Sequence, residues 1–446
     1  MQQSAVLIVL IGLMIATGII NAQDDPAAED LQLVDQLMLA TLQDTLEAQE
    51  DLPEDALPIG RNVTLSPDGA ALAWTWNEGY CAYAIDAETL NCQTLDARLP
   101  NNMPLVWSPD SQHVAFTLDF VRLFEEPDIM VLNVATGALV NLTDDGIIDL
   151  SGDDADTPYI DVVPTWDPST GDLYFFRYIE NEAADGFDSA LYRFAAPVTA
   201  DTRAEPEVVV DLTGWVDGLL FPFVVTPPFL LDGAAAIAPD GRTMAALVRD
   251  IQERERTGLV LIDLETGEIF FEISNAQLTT AGMPAWYTDP GGPLSGDIVD
   301  GIAWAADKQT VLVAIQNAFF DTETLSPRTV AVDSQSGEVT PLVDFSTLPD
   351  TDSFLTGEGT LGIQARQYWV THAAGLDALV YLAGFQPGAD TLNIDRLSLT
   401  ERGVETVVSF DGGGLLPQTQ ASTGQTEDGR VRVLVNNVLL TFAPAN

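Results

Sequence analysis

Short apolar runs, cut by turns rich in Pro, Asp and Gly, recur along the chain from about residue 60 to its end. The plainest examples are VTLSPDGAALAWTW at 63–76, LVWSPDSQHVAFTL at 105–118, PTWDPSTGDLYFFRY at 164–178, AAIAPDGRTMAALV at 235–248 and GIAWAADKQTVLVAI at 301–315. Two weaker copies, at 369–383 and 420–435, keep the turn chemistry but lose the proline. In such a turn Pro presets φ, Asp bonds its own downstream backbone and Gly takes a positive φ, so each unit predicts two strands joined by a tight turn. Only ahead of these units does the spacing change. Within the stretch 28–50, Leu31, Val34, Met38, Leu42 and Leu46 recur at helical intervals, which predicts an amphipathic helix.

Several units continue into a hairpin closed by Thr-Gly or Ser-Gly, as in IMVLNVATGALVNLT at 129–143, LVLIDLETGEIFFEI at 259–273 and TVAVDSQSGEVTPLV at 329–343. Four strands per unit with no helix between units is the pattern of a propeller blade. The expected fold is therefore all-β: a β-propeller of four-stranded antiparallel blades with a short amino-terminal helix. First-turn positions at Asp68, Asp110, Gly171, Asp240, Asp307, Gly375 and Asp428 favour seven blades, with six plus a trailing hairpin as the alternative. The last unit has room for about three strands, so a strand near Leu57 to Ile59 is expected to supply its outer edge and join the chain ends.

The units resemble the WD40-like repeats called PD40, found in the propellers of the translocation protein TolB and of prolyl oligopeptidase-type peptidases. The resemblance covers about residues 60–440 and is carried by Ser66-Pro67-Asp68-Gly69, Ser108-Pro109-Asp110 and Ala238-Pro239-Asp240-Gly241. It implies the fold and leaves function open, because propellers host many activities. The hydrolase domain of the peptidases, with its Gly-x-Ser-x-Gly elbow, has no counterpart here, nor has the amino-terminal α/β domain of TolB.

Composition narrows the function. With 68 acidic against 17 basic residues the formal charge is −51, which argues against nucleic acid as a partner. Apolar residues make up 46% of the chain, enough for a sizeable core. Ala5 to Ile20 is an unbroken run of apolar and small residues, followed by Ala22 and the first charges, Asp24 and Asp25. Residues 1–22 are read as a secretory signal peptide, with an uncleaved membrane anchor as the alternative, because no Lys or Arg precedes the run. The expected organisation continues with an acidic linker and helix at 23–56 and the propeller at 57–446. An extracytoplasmic location (secreted, periplasmic or cell surface) suits a disulfide between Cys81 and Cys92, which flank the turn in CAYAIDAETLNC. Buried thiols or a metal pair are the competing readings.

Catalytic chemistry is hard to find. His113 and His372 have no nucleophile at recognisable spacing, and each is read as structural. The glycines of Gly357 to Gly362 match G-x-G-x-x-G but sit in a polar loop rather than between a strand and a helix, and no cofactor is expected. Calcium is the one metal considered. The candidates are Asp149, Asp153, Asp154, Asp156 and Asp161 in the acid-rich stretch between the second and third units, although the spacing is not that of an EF-hand and a solvated charge cluster is the ordinary outcome. Trp215, Phe221 and Phe223 in one apolar insertion, and Trp286 and Tyr287 in a Gly- and Pro-rich one, are the candidate binding-loop residues. The reading favoured is a non-enzymatic propeller that recognises a protein, peptide or glycan through loops on one face. The alternatives are a glycan hydrolase or lyase with carboxylates in the channel, and a structural part of an envelope assembly.

Overall fold

The computed structural model describes residues 31–47, 56, 58, 63–76, 78–94, 105–117, 128–144, 159–181, 186–199, 202, 205–212, 235–248, 258–274, 277–278, 297–305, 307–317, 328–344, 367–373, 376–383, 391–397, 404–411, 422–435 and 438–444. Strand β1 (Leu31–Met38) leads directly into helix α1 (Leu39–Glu47). Blade one comprises β2 (Thr64–Leu65), β3 (Ala71–Trp76), β4 (Gly79–Ala84) and β5 (Thr89–Thr94). Blade two comprises β6 (Val106–Trp107), β7 (His113–Thr117), β8 (Ile129–Asn133) and β9 (Leu139–Asn141). Blade three is β10 (Tyr159–Trp166), β11 (Leu173–Asn181), β12 (Gly186–Phe194) and β13 (Glu207–Asp211). Blade four is β14 (Ala235–Ile237), β15 (Thr243–Val248), β16 (Gly258–Asp263) and β17 (Glu268–Ser274). Blade five is β18 (Asp297–Trp304), β19 (Thr310–Asn317), β20 (Arg328–Asp333) and β21 (Val339–Asp344). Two hairpins follow, β22 (Gln367–Ala373) with β23 (Leu376–Ala383) and β24 (Thr391–Leu397) with β25 (Val404–Asp411). The closing blade takes β26 (Ser422–Gln425), β27 (Val431–Val435) and β28 (Val438–Pro444) from the carboxyl end and β1 from the amino end.

The described residues thus form six four-stranded blades, which corrects the seven favoured by counting turns. Strands β22 to β25 form two separate two-stranded ladders, with β23 lying against β24 and β22 standing between β18 and β26. A turn motif marks where a strand pair begins; the ladder between a blade's middle strands is set by their approach in space, which the motif does not encode.

The closing strand is a second correction. Its role is as expected, but it is β1, not Leu57 to Ile59, which lie outside the described residues apart from Pro58. Leu31 pairs with Pro444 and Met38 with Val438, so the first half of the stretch read as a helix is a strand, and the helix begins at Leu39. Edge pairing with β28 outweighs local helical spacing, since most helical stability in proteins comes from tertiary packing rather than propensity. What remains helical buries Leu39 and Leu42 against Val63, Trp74, Trp76, Leu434 and Leu439, at the junction of the closing blade with blade one.

Turn residues do what their chemistry predicts. Ser66 Oγ donates to Asp68 Oδ1 at 2.5 Å, Asp68 Oδ1 accepts from the Ala70 amide at 2.9 Å, and Gly69 has φ +67°. Ser108 and Asp110 repeat the arrangement in blade two. Blades then pack sheet on sheet: Tyr80 and Trp107 share one apolar cluster, Phe116 and Met130 belong to it too, and Phe175, Phe194 and Ala115 form the next. Tryptophans pin adjacent inner strands, Trp166 Nε1 donating to Val106 O at 3.0 Å and Trp304 Nε1 to Ala236 O at 2.9 Å.

In an antiparallel blade the first-to-second and third-to-fourth connections leave by one face, and the remaining connections by the other. Here the first face carries tight turns, such as 66–70, 85–88, 134–138, 238–242 and 264–267, with 195–206 the longest connection on it. The second, the loop face, is where strand ends open onto 95–105, 118–128, 142–158, 212–234, 275–296, 318–327 and 345–366. Among the described residues no helix is long and apolar enough to cross a membrane.

The disulfide forms, with Cys81 facing Cys92 across β4 and β5 and Cys81 fully buried. Closing this short loop restricts the unfolded chain and is worth about 3 kcal/mol. Replacing both with Ala is expected to lower the unfolding free energy from denaturant titrations by about that amount; an unchanged value would show that the bond adds nothing.

Candidate functional site

The most elaborate polar arrangement among the described residues lies at the loop face between blades two and three. Its strands place it there. Thr143 follows the end of β9, Asp128 precedes β8, and Asp161 stands near the start of β10, all at strand ends that open on the loop face, while Arg177 lies midway along β11. Arg177 is a lone charge in the aromatic run LYFFRY, and the β10–β11 register sets it opposite Asp161. Its Nε and Nη2 each donate to one carboxylate oxygen at 2.7 Å, a two-pronged pair whose carboxylate is fully buried. The guanidinium also lies over Tyr159, 4.4 Å from the ring centroid, and over Tyr192 at 4.9 Å, which replaces part of the hydration it has lost.

Across the blade junction, Asp128 accepts from Asn141 Nδ2 at 2.6 Å and from Thr143 Oγ1 at 3.1 Å, while the Ile129 amide donates to Thr143 Oγ1 at 2.9 Å. The Thr143 hydroxyl also reaches Asp161, so its one proton is shared between the two carboxylates and the contact joins blade two to blade three. Burial pushes the Asp161 carboxyl up to about 6, while the hydrogen bonds and charge of Arg177 pull the other way and nearby Asp128 adds to the rise. At neutral pH the pair is ionised.

A pH dependence follows. Asp263 and Asp333, whose carboxylates accept hydrogen bonds from Thr266 and Ser336 in hairpin turns, are held below the usual carboxylate range. Their contribution is present above the unfolded value near ~4 and is lost as the pH falls below it. Asp161 has the opposite sign. Its native form takes up a proton between about 6 and about 4, so stability from this group rises as the pH falls through that window. Melting temperature is expected to rise from pH 7 toward 5 and to fall below about 4. Asp161→Asn should flatten the upper limb and leave the lower one; an upper limb unchanged in the variant would assign it to relief of the chain's general negative charge instead.

Of the calcium candidates, Asp161 has both oxygens engaged by Arg177, and Asp149, Asp153, Asp154 and Asp156 lie outside the described residues. Among the described residues no group of three or more His, Cys, Asp or Glu is placed to hold a metal ion. Trp215, Phe221, Phe223, Trp286 and Tyr287, and the glycines of 357–362, also lie outside the described residues. His113 is buried in β7, its Nε2 3.1 Å from Asn133 Nδ2, and burial lowers its pKa, as suits a structural residue. His372 falls in β22. Sequence reasoning missed Arg177 and Asp128. A single arginine among four aromatics and a leucine is a signal for a buried partner, and the only carboxylate of the facing strand is Asp161.

No family model matches the sequence, and no curated protein matches it. Solved structures do. An oligogalacturonate lyase from Vibrio parahaemolyticus is 11% identical over 93% of this chain and 98% of its own, with a TM-score of 0.48. A putative TolB from Agrobacterium tumefaciens is 14% identical over 64% of this chain and 80% of its own, with a TM-score of 0.34. TolB from Acinetobacter baumannii is 11% identical over 85% and 78%, also with a TM-score of 0.34. The structural neighbours of this propeller thus include TolB proteins, and identities this low carry no activity across to it.

Proposed function

We propose that this chain is an exported, non-enzymatic β-propeller that recognises a protein, peptide or glycan through the loop face of the ring. The observation that carries the reading is the uneven length of the connections. Tight turns occupy nearly all of one face, while on the other the described strands open onto stretches holding both aromatic insertions and the acid-rich 145–158. A rigid scaffold presenting long connections on one side is how loops serve recognition. Export accords with the Cys81–Cys92 disulfide. Asp161, the described candidate among the acids, is committed to Arg177, and that favours an architectural role for it over general acid or base work.

The test is affinity purification from an envelope extract with the mature protein as bait. Replacing Trp286 and Tyr287 together with Ala is expected to abolish capture of the partner while leaving the melting temperature within a degree or so of the parent. Capture that survives this change and the loss of Trp215, Phe221 and Phe223 would remove the loop-face reading. Release of reducing sugar from a polysaccharide panel, abolished by a single Asp substitution, would replace it with the glycan-active alternative.

A further inference from the structure

We propose that β5, the outer strand of blade one, is a docking edge that takes an extended segment of another protein as a fifth strand, a segment with apolar side chains at alternate positions and a basic residue at each end. The other five four-stranded blades show what β5 lacks. An outer strand presents a row of unpaired amides and carbonyls, and folded proteins blunt such edges with charge, proline, bulges or short length. Strand β9 has only three residues. Each of β1, β13, β17 and β21 carries a register shift against the strand it pairs with. Each also holds a carboxylate, Asp35, Glu207, Glu268 and Asp344 respectively, with Pro341 added in β21. Strand β5 is different. Its six residues, TLNCQT, include no charge and no proline, and it pairs with β4 over its whole length without a shift. Among the described residues no strand lies on its outer side.

The spacing of the cysteine pair fixes which groups point outward. Directly opposed residues of an antiparallel pair alternate between about 5.5 Å, where they exchange hydrogen bonds, and about 4.5 Å, where they do not. Cys81 and Cys92 have Cα atoms 4.1 Å apart, so theirs is a non-hydrogen-bonded pair and the Cys92 amide and carbonyl point away from β4. By the same alternation those of Leu90 and Thr94 point outward too, while Thr89, Asn91 and Gln93 bond β4. A strand added antiparallel would exchange hydrogen bonds with Leu90, Cys92 and Thr94. Its side chains opposite them would share the face on which Leu90 and Cys92 pack, half-buried, against the cluster of Trp74 and Leu439. That face asks for apolar residues, and the alternate ones, which meet exposed Asn91, stay polar.

Charge decides between a foreign segment and a second copy. Glu88 stands just before β5, and Glu78 just before Gly79, the register partner of Thr94, so an exposed acid flanks each end of the strand. Two copies paired antiparallel through β5 would bring Glu88 of one toward Glu78 of the other at both ends, between chains that each carry a formal charge of −51. Lys or Arg at the ends of a foreign segment turns the same acids into attraction. This edge lies on the rim of the ring and not on the loop face, so the proposal goes beyond the recognition reading and does not depend on it.

The test titrates the full chain into a fluorescent peptide, Lys-Thr-Val-Thr-Val-Thr-Lys, and reads anisotropy. Saturable binding that weakens as salt rises is expected. N-methylation of both valines removes the amides that face β5 and is expected to weaken binding by about tenfold or more, whereas N-methylation of the threonines should change it by less than about twofold. These peptides probe the edge without altering the protein. Thr94→Pro removes an outward amide at an exposed position, and is expected to weaken binding to the same degree at an unchanged melting temperature. The double change Glu78→Lys with Glu88→Lys should reverse the preference, favouring the same peptide with Asp at both ends. No saturable binding, equal effects of the two methylated peptides, or a preference that survives the charge reversal would each overturn the proposal. So would a protein that sediments as a dimer and becomes a monomer in Thr94→Pro, because a second copy would then hold the edge.

Discussion

A chain starting at Leu39, and so lacking β1, is expected to lose its cooperative unfolding transition, whereas one starting at Asp24 behaves as the parent. Seven register pairs join β1 to β28. At about 0.5–1.5 kcal/mol net for each hydrogen bond, their loss comes to several kcal/mol, against a total stability of about 5–15 kcal/mol for a folded domain. The consequence goes beyond the ladder. Removing β1 leaves the apolar strand VLLTFAP as an open edge, a template for pairing with other chains. It also detaches α1, with Leu39 and Leu42, from the cluster around Trp74 and Leu434. What would still join blade one to the closing blade includes hydrogen bonds from Gln425 N to Pro67 O at 2.8 Å, Leu65 N to Ser422 Oγ at 2.8 Å and Arg432 Nη1 to Gly69 O at 2.7 Å, too little to replace the lost ladder. Circular dichroism melts with size-exclusion chromatography read the result. A monomeric chain from Leu39 with the parent's transition would show that β1 decorates the ring without closing it.

Asp161→Ala is expected to cost about 3–5 kcal/mol, the usual result of leaving a buried charge without its partner. Arg177 keeps only 11% of its side chain exposed, so its guanidinium cannot turn freely to water. Arg177→Met is expected to cost a similar amount for the mirror reason. The double change Asp161→Leu with Arg177→Met should return most of the loss, because two charges that never leave water in the unfolded chain no longer have to be desolvated on folding. Urea titration of all four proteins completes the cycle. If the double variant is as unstable as the sum of the singles, the pair is not coupled and the network through Asp128 and Thr143 must carry the junction instead. The raised Asp161 carboxyl points to recovery, since it reflects a burial cost that the guanidinium does not fully offset.

The junction of blade one with the closing blade follows a different rule. Arg432 is buried and bonds Asp86, which is 60% exposed. There the burden falls on the arginine alone, so Asp86→Ala is expected to destabilise more than Arg432→Met.

How much of this was legible beforehand can be judged residue by residue. Ser66-Pro67-Asp68-Gly69 and its copies determined the tight turns by local chemistry: a proline φ, an Asp oxygen over its own backbone amides and a glycine at positive φ act within five residues, whatever the rest of the chain does. The facing of Cys81 and Cys92 was equally local, because a short hairpin sets the register of its two strands. From these came the all-β class, the propeller and the disulfide. The register that sets Asp161 opposite Arg177 is equally local, within the β10–β11 hairpin, but the burial of that pair, the number of blades and the identity of the closing strand were decided only in three dimensions. The closing strand shows it most plainly, with Leu31 against Pro444 across more than four hundred residues, and the buried pair sits where Thr143 of one blade meets Asp161 of the next. Hydrophobic spacing in 28–50 reports what a segment does alone, and the unpaired edge of β28 made half of it a strand.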